Sequence, residues 1–218
     1  MDLIKLGLPI VGQVLIVSVG GMIVQSAVNK VGVIFLAGYT ATNKLYGILG
    51  IAATSFGFAI VSYAGQNLGA KHFDRIRKGT RVAVTIAFAT SVIIGALMIL
   101  FGKLFLNAFI EGTPTQTNQV MDIAYFYLVI TCIFLPTIYF LHVVRSAIQG
   151  MGNTFLPMIS GIVEFAMRIL TVLLLPLWLG DHGIFFADIV AWIGADIFLW
   201  ASYQATLKAV SRNASQDA

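Results

Sequence analysis

The chain has 218 residues, of which 59% are hydrophobic and only 10% are charged, and its formal net charge is +4. A soluble domain carries roughly 25% charged residues, so this chain has too few of them to cover a surface in contact with water. The mean hydropathy of +0.93 agrees with this. The composition excludes a soluble enzyme, a nucleic-acid-binding domain and a disordered regulator, and it indicates an all-α integral membrane protein.

Six stretches are long and apolar enough to cross a bilayer, because a membrane helix needs about 20 mostly apolar residues. The sequence therefore predicts a polytopic bundle of six transmembrane helices within residues 1–210, followed by a disordered cytoplasmic tail over residues 211–218. Pro136 lies within the fourth span, where it removes a backbone hydrogen bond and predicts a bend. The predicted spans cover residues 8–30, 40–68, 82–104, 119–150, 154–179 and 183–207.

The distribution of Lys and Arg between the connecting segments predicts the orientation of the bundle. Five basic residues lie in the predicted loop 70–81, whereas the segments 105–118 and 180–182 contain none. Because positively charged loops stay on the cytoplasmic side, we expect both termini and the loop 70–81 to be cytoplasmic, in a multi-pass protein of the cell (inner) membrane. Lys30 and Lys44 flank the first outer loop and are exceptions to this pattern.

Polar side chains in the first two spans are candidates for a substrate cavity. Gln25 and Asn29 are one helical turn apart in the first span, so they share a face of the helix. Amide side chains avoid hydrocarbon and usually face a protein interior or a water-filled cavity. We therefore expect Gln25 and Asn29, together with Tyr46 and Thr54 of the second span, to face a shared interior.

Charged residues within the later spans are candidates for ion coupling or for packing. Glu164 lies near the middle of the fifth span, and Arg168 follows it at the spacing of an ion pair on one helix face. This pair either neutralises itself and supports helix packing, or Glu164 takes part in proton or cation coupling.

Asp196 lies deep in the last span without a basic neighbour on its own helix, so it is a candidate for ion coupling or for a hydrogen bond to a neighbouring helix. We expect Asp188, nearer the outer end, to be hydrated, and Arg145 to be structural.

The sequence shows no constellation typical of catalysis or of metal binding. His142 is a lone histidine, with no second His, Cys or carboxylate beside it at ligand spacing. Neither a nucleophile elbow nor a Walker loop occurs. Cys132 is the single cysteine and cannot form an intramolecular disulfide. We therefore expect no enzyme activity, no bound metal and no resident cofactor.

Two segments resemble the signature of the multidrug and toxic compound extrusion (MATE) family. They are GQNLGA at residues 65–70 and RSAIQGMGNT at residues 145–154. The pair of Glu164 and Arg168 in the following helix is similar to the same family. The matching residues, which we expect to be structural, are Gly65, Gln66, Asn67, Gly69, Arg145, Gln149, Gly150 and Arg168.

The resemblance is to one lobe of such a transporter. MATE transporters have twelve helices in two six-helix lobes around a central cavity, and this chain is similar to the C-terminal lobe. The resemblance implies export of cationic or amphipathic organic compounds in exchange for Na+ or H+. It does not extend to the N-terminal lobe, whose first helix often carries a coupling aspartate. The first span of this chain carries Gln13 and Gln25 and no carboxylate.

Three functions of different classes remain open at this point. The first is one lobe of a MATE-type antiporter, either as part of a longer protein or as a separately encoded half, with an N-terminal lobe or a second copy of the chain as its partner. The second is a self-assembling six-helix membrane protein, in which two copies imitate a two-lobed carrier. The third is a non-transporting membrane scaffold or fragment. The lipid bilayer and a small, cationic organic substrate are the other expected partners, and nucleic acid is not expected.

Overall fold

The computed structural model describes residues 2–110 and 112–216 of the chain, and within these ranges it is helical, without strands. Helices that follow one another along the chain are joined by short segments, one of which is a 3-10 segment at Gly180–Phe186. The helices are α1 (Asp2–Val31), α2 (Val33–Gly69), α3 (Phe73–Asn107), α4 (Pro114–Ile133), α5 (Leu135–Gly150), α6 (Phe155–Leu174), α7 (Pro176–Leu179) and α8 (Ala187–Gln216).

The long helices form six membrane spans, as the sequence predicts. The helices α1, α2 and α3 are the first three, and each has 30 or more residues. The fourth span consists of α4 and α5, which together are long and apolar enough for one span and are bent by 48° relative to each other. The helices α6 and α8 pack side by side, so they are the fifth and sixth spans, joined by α7 and the 3-10 segment. The predicted all-α bundle of six transmembrane helices is confirmed.

The fourth span bends where Pro136 predicts a bend. Pro136 is the second residue of α5, and it has no N–H with which to continue the hydrogen bonds of α4. The first half of the span therefore ends at Ile133, and Phe134 separates the two helices. As a result α4 packs against α2 and α3, whereas α5 also reaches α8.

Three connecting segments are shorter than the sequence predicts, and these predicted boundaries are wrong. Gly32 alone separates α1 from α2, although the spans 8–30 and 40–68 predict a loop over residues 31–39. Only residues 70–72 separate α2 from α3, so the predicted loop 70–81 is mostly helical. Residues 108–113 separate α3 from α4, in place of the predicted segment 105–118. At the start of α3 the physical reason is that long charged side chains can extend from a helix end into the polar interface, so the helix continues beyond its apolar part.

The last helix extends into the predicted tail. The helix α8 continues to Gln216, so residues 211–216 are helical, and residues 217–218 lie outside the described part of the chain. No glycine or proline follows Trp200 to stop the helix. The division into a lobe at 1–210 and a tail at 211–218 stays a prediction.

The centre of the bundle is formed around α5. It packs against α2, α3 and α8, and its residues Val143, Val144 and Ala147 are fully enclosed. The helix α1 packs mainly against α6 on one side of this core. Many apolar side chains on the outer faces of α1 and α3 are exposed, as expected for a surface that faces lipid. The contact between α5, α6 and α8 is where the charged residues of the spans meet.

Candidate functional site

Four charged side chains form a network between α5, α6 and α8. Glu164 of α6 is only 2% exposed and forms ion pairs with Arg145 of α5 and with Arg168 of its own helix. The Nη2 atom of Arg168 lies 3.5 Å from Oε2 of Glu164. Arg168 also donates from Nε to Oδ1 of Asp188 on α8, at 2.7 Å. The network contains two positive and two negative groups, so it is neutral when all four are ionised.

A serine connects the network to the backbone of α6. The Nη2 atom of Arg145 donates to Oγ of Ser160 at 3.0 Å, and the Ser160 hydroxyl donates to the carbonyl oxygen of Pro157 at 2.6 Å. Within the described part of the chain, Nε of Arg145 and Nη1 of Arg168 have no hydrogen-bond partner. Because a buried charge is strongly unfavourable unless it is paired, these contacts favour one arrangement of the three helices.

The network is larger than the sequence predicts. The spacing of Glu164 and Arg168 predicts their contact, and the structure contains it. The shorter contact of Glu164, however, is with Arg145, to which the sequence assigns only a general structural role. Asp188 is not simply hydrated as expected, because it binds Arg168, although its side chain remains 21% exposed. Both missed contacts join different helices, and the periodicity of a single helix carries no signal for them.

Asp196 lies on α8 two helical turns from Asp188 and differs from the other acidic residues in its environment. Its Oδ1 atom is buried and has no hydrogen-bond partner within the described residues. Arg145 and Glu164 are close enough to interact with it electrostatically. Among the described residues, no group of three or more His, Cys, Asp or Glu side chains could hold a metal ion. Asp196 therefore differs from Asp188, which binds Arg168, and its role in ion coupling stays a prediction.

The four predicted cavity residues have different environments. Gln25 donates to Asn29 at 3.0 Å along α1, and Asn29 is exposed. Tyr46 of α2 stacks on Trp192 of α8, with ring centroids 5.6 Å apart, and lies close to the charged network. Thr54 donates to a carbonyl oxygen of its own helix at 2.9 Å. The structure thus brings Tyr46 towards the charged network and pairs the two amides of α1 with each other. A shared cavity for all four stays a prediction.

The two glycine-containing segments meet where α2 packs against α5. A Cβ atom added at Gly150 would lie 2.5 Å from the carbonyl oxygen of Val61 and 2.8 Å from Cβ of Ala64. A Cβ atom added at Gly65 would lie 3.6 Å from the carbonyl oxygen of Gly150, whereas one at Gly69 would have nothing within 4 Å. Glycine at 150 therefore allows the two helices to approach closely, whereas a Cβ atom at 65 would make only ordinary van der Waals contact.

Amide side chains of the same segments form further contacts. Gln149 donates to Oε1 of Gln13 at 3.3 Å and so connects α5 to α1. Asn67 is buried and donates to the carbonyl oxygen of Tyr63 at 2.8 Å. Gln66 is exposed. The contacts of Gln149 and Asn67 are consistent with structural roles in the bundle.

Known proteins match this chain along most of its length. The family described as MatE matches residues 9–174. The probable multidrug resistance protein YoeA of Bacillus subtilis (strain 168) is 25% identical over 214 residues, which are 94% of this chain and 45% of that protein. The probable multidrug resistance protein YpnP of the same organism is 26% identical over 186 residues, which are 84% of this chain and 40% of that protein.

The fold is also similar to that of a solved transporter. The crystal structure of the Vibrio cholerae MATE transporter VcmN in the bent form superposes with a TM-score of 0.83 at 20% sequence identity. The match covers 93% of this chain and 45% of VcmN. At this identity the likeness establishes the fold alone. The chain spans less than half the length of each of these three proteins.

Proposed function

The chain belongs to the MatE family of multidrug transporters, and from this we propose that it forms one six-helix half of a cation-coupled antiporter that exports small organic compounds. The family match over residues 9–174 is the observation that carries the proposal. Because the chain spans less than half of its relatives, a complete carrier needs a second half. That half is an N-terminal lobe or a second copy of the chain.

The proposed substrate is a small organic compound, cationic or amphipathic in character. The names of YoeA and YpnP as probable multidrug resistance proteins support a broad substrate range. Gln25 and Asn29 offer amide groups for such a substrate, and Tyr46 and Thr54 complete the proposed cavity surface. In alternating access, one repeat moves against the other and the substrate cavity lies between them. A second half of the carrier is therefore required to enclose these four residues.

Na+ or H+ supplies the driving force in this proposal, and Asp196 is the residue assigned to coupling. Its buried Oδ1 atom has no hydrogen-bond partner among the described residues, so protonation there breaks no existing bond to that atom. Glu164 is bound by two arginines, and its protonation would leave the buried charge of Arg145 uncompensated, whereas Arg168 would keep its contact with Asp188. This difference favours Asp196 over Glu164 as the coupling group.

The proposed orientation in the cell (inner) membrane has both termini in the cytoplasm. The basic residues of the first turns of α3 support it, among them Arg75, Arg77, Lys78 and Arg81. Lys208 and Arg212 lie near the end of α8. Basic residues concentrate on the cytoplasmic side of membrane proteins, so this end of the bundle is assigned to the cytoplasm.

Reconstitution of the purified chain in lipid vesicles tests the proposal. Export of a cationic dye is measured under a Na+ or H+ gradient, and single-molecule photobleaching counts the copies in each vesicle. We expect gradient-driven export only from vesicles with at least two copies, or with an N-terminal lobe supplied as a separate chain. Export from vesicles with a single copy would contradict the assignment as a half. No export in any arm would favour the non-transporting scaffold.

A further inference from the structure

We propose that a groove between α3 and α8 binds one anionic phospholipid, with the phosphate at the membrane surface and an acyl chain along the groove. The end of the groove nearest the proposed cytoplasmic surface of the membrane is a cavity of about 320 Å³ between the first turns of α3 and the last turns of α8. Arg77, Lys208 and Arg212 line this cavity, together with the acidic residue Asp74. Among the described lining residues, three basic side chains and one acidic side chain give a net charge of +2, which attracts an anionic group. This inference does not depend on a transport function.

A second cavity, of about 300 Å³, continues from the first towards the middle of the bundle. Arg77 lines both cavities, so the two adjoin. The second cavity is lined by Val84 of α3, Trp200 of α8 and Phe140 of α5. Trp200 lies eight residues before Lys208, which corresponds to about 12 Å along a helix. The groove is thus long enough for the first part of an acyl chain.

Two buried hydroxyl groups line the second cavity. Thr80 and Tyr203 are only 2% and 3% exposed. Their hydroxyls lie near each other, but neither forms a hydrogen bond of ordinary geometry with the described residues. A buried hydroxyl without a partner is unfavourable. The glycerol and ester oxygens of a phospholipid follow directly below its phosphate, and a rotation of either hydroxyl-bearing side chain towards the cavity would let it donate to them.

The combination of a basic end and an apolar groove favours an amphiphile over a free anion. Basic side chains near a membrane surface attract anionic head groups, and aromatic residues such as Trp200 and Tyr203 are typical of the membrane interface. Contact of an acyl chain with Trp200 and Phe140 buries apolar surface, which adds binding free energy that a free phosphate cannot gain. A zwitterionic phospholipid fits the apolar part but gains much less from the basic end.

Native mass spectrometry of the full chain purified in detergent tests the proposal. The chain is titrated with phosphatidylglycerol, with phosphatidylcholine of the same acyl chains and with glycerol 3-phosphate. We expect phosphatidylglycerol to bind one to one and at least tenfold more tightly than the other two. Equal affinity for phosphatidylcholine would overturn the role of the basic end. Equal affinity for glycerol 3-phosphate would overturn the role of the groove and, with it, the assignment to a lipid.

Charge-removing variants locate the phosphate. The double variant Arg77→Gln/Lys208→Gln should bind phosphatidylglycerol about 25-fold more weakly, because each basic residue near the surface contributes about fivefold in affinity. Lys103→Gln is the matched control, since Lys103 is also exposed on α3 but lies at its other end, over the ring of Tyr125. It should bind as the unchanged chain does. Unchanged binding by the double variant would overturn the proposal.

Variants of the apolar groove locate the acyl chain. Val84→Trp fills the groove and should abolish tight binding of phosphatidylglycerol. Val82→Trp is its control, because Val82 is 55% exposed and lies outside the groove. Trp200→Ala is a second variant that should also weaken binding, and Trp200 is 49% exposed, so its truncation should leave the fold intact. Circular dichroism checks the helix content of each variant. Undiminished binding by either folded groove variant would overturn the proposed position of the acyl chain.

Discussion

Arg145 and Glu164 form an ion pair between α5 and α6, although 19 residues separate them in the sequence and both side chains are almost completely buried. Arg168 approaches the other oxygen of the same carboxylate. Both oxygens of the Glu164 carboxylate are therefore engaged by guanidinium groups. Because one of these groups also binds Asp188 of α8, a change at Glu164 affects the packing of three helices.

Glu164→Gln should destabilise the bundle by about 3–5 kcal/mol, because it leaves Arg145 with an uncompensated buried charge. The measurement is the free energy of unfolding in detergent, followed by circular dichroism. Asp122→Asn is the matched control, since Asp122 is an exposed carboxylate on α4. Its effect should stay within about 0.5 kcal/mol.

The double variant Arg145→Met/Glu164→Leu should recover most of that stability. It removes both charges of the pair, and replacement of a buried ion pair by apolar residues is often neutral or stabilising. Arg168 keeps its contact with Asp188 in this variant. A double variant as unstable as Glu164→Gln would contradict the view that the uncompensated charge causes the loss.

Asp188→Asn should destabilise the bundle less, by about 1–2 kcal/mol, because it removes one charge-assisted hydrogen bond at a partly exposed position. Its effect should not add to that of Glu164→Gln, since both acidic residues bind Arg168. A double-mutant cycle measures this, and we expect a coupling free energy of at least about 0.5 kcal/mol. Simple additivity would show that the two ion pairs act independently.

The features of the fold that depend on local sequence were predictable. The number of spans follows from the lengths of the apolar runs, and the bend follows from the missing N–H of Pro136. The pair of Arg145 and Glu164 was not predictable, because helical periodicity describes one helix at a time and not how two helices pack. The predicted loop 70–81 was wrong, since a run of charged residues is equally compatible with a helix end in the polar interface.

Gly150→Ala should destabilise the bundle by about 1–3 kcal/mol, because its Cβ atom would overlap the backbone of Val61 unless the helices move apart. Gly47→Ala is the control on α2, since a Cβ atom there has nothing within 4 Å. The control should be neutral, or stabilising by up to about 1 kcal/mol, because alanine favours the helix. Equal effects of the two changes in thermal unfolding would contradict the close packing of α2 on α5.

Cysteine labelling should show that the start of α3 lies in the cytoplasm. In a Cys132→Ala background, a membrane-impermeant maleimide should label Thr115→Cys in intact cells. The same reagent should label Lys78→Cys only after the membrane is permeabilised, since basic residues concentrate on the cytoplasmic side. The unchanged chain is the control, because its single cysteine is 4% exposed. Labelling of Lys78→Cys from outside would contradict the proposed orientation.

Asp196→Asn should separate folding from ion coupling, in contrast to Glu164→Gln. The Oδ1 atom of Asp196 has no hydrogen-bond partner among the described residues, and asparagine has nearly the same shape. The variant should therefore lose less than about 1 kcal/mol of stability, within the range of substitutions that break no specific interaction. It cannot exchange a proton, however, and it offers only one neutral oxygen to a cation.

In the vesicle assay, we expect normal insertion of Asp196→Asn but loss of export that depends on the gradient. Gradient-driven export at the level of the unchanged protein would show that Asp196 takes no part in ion coupling. A stability loss as large as that of Glu164→Gln would assign Asp196 to the packing of α8 instead.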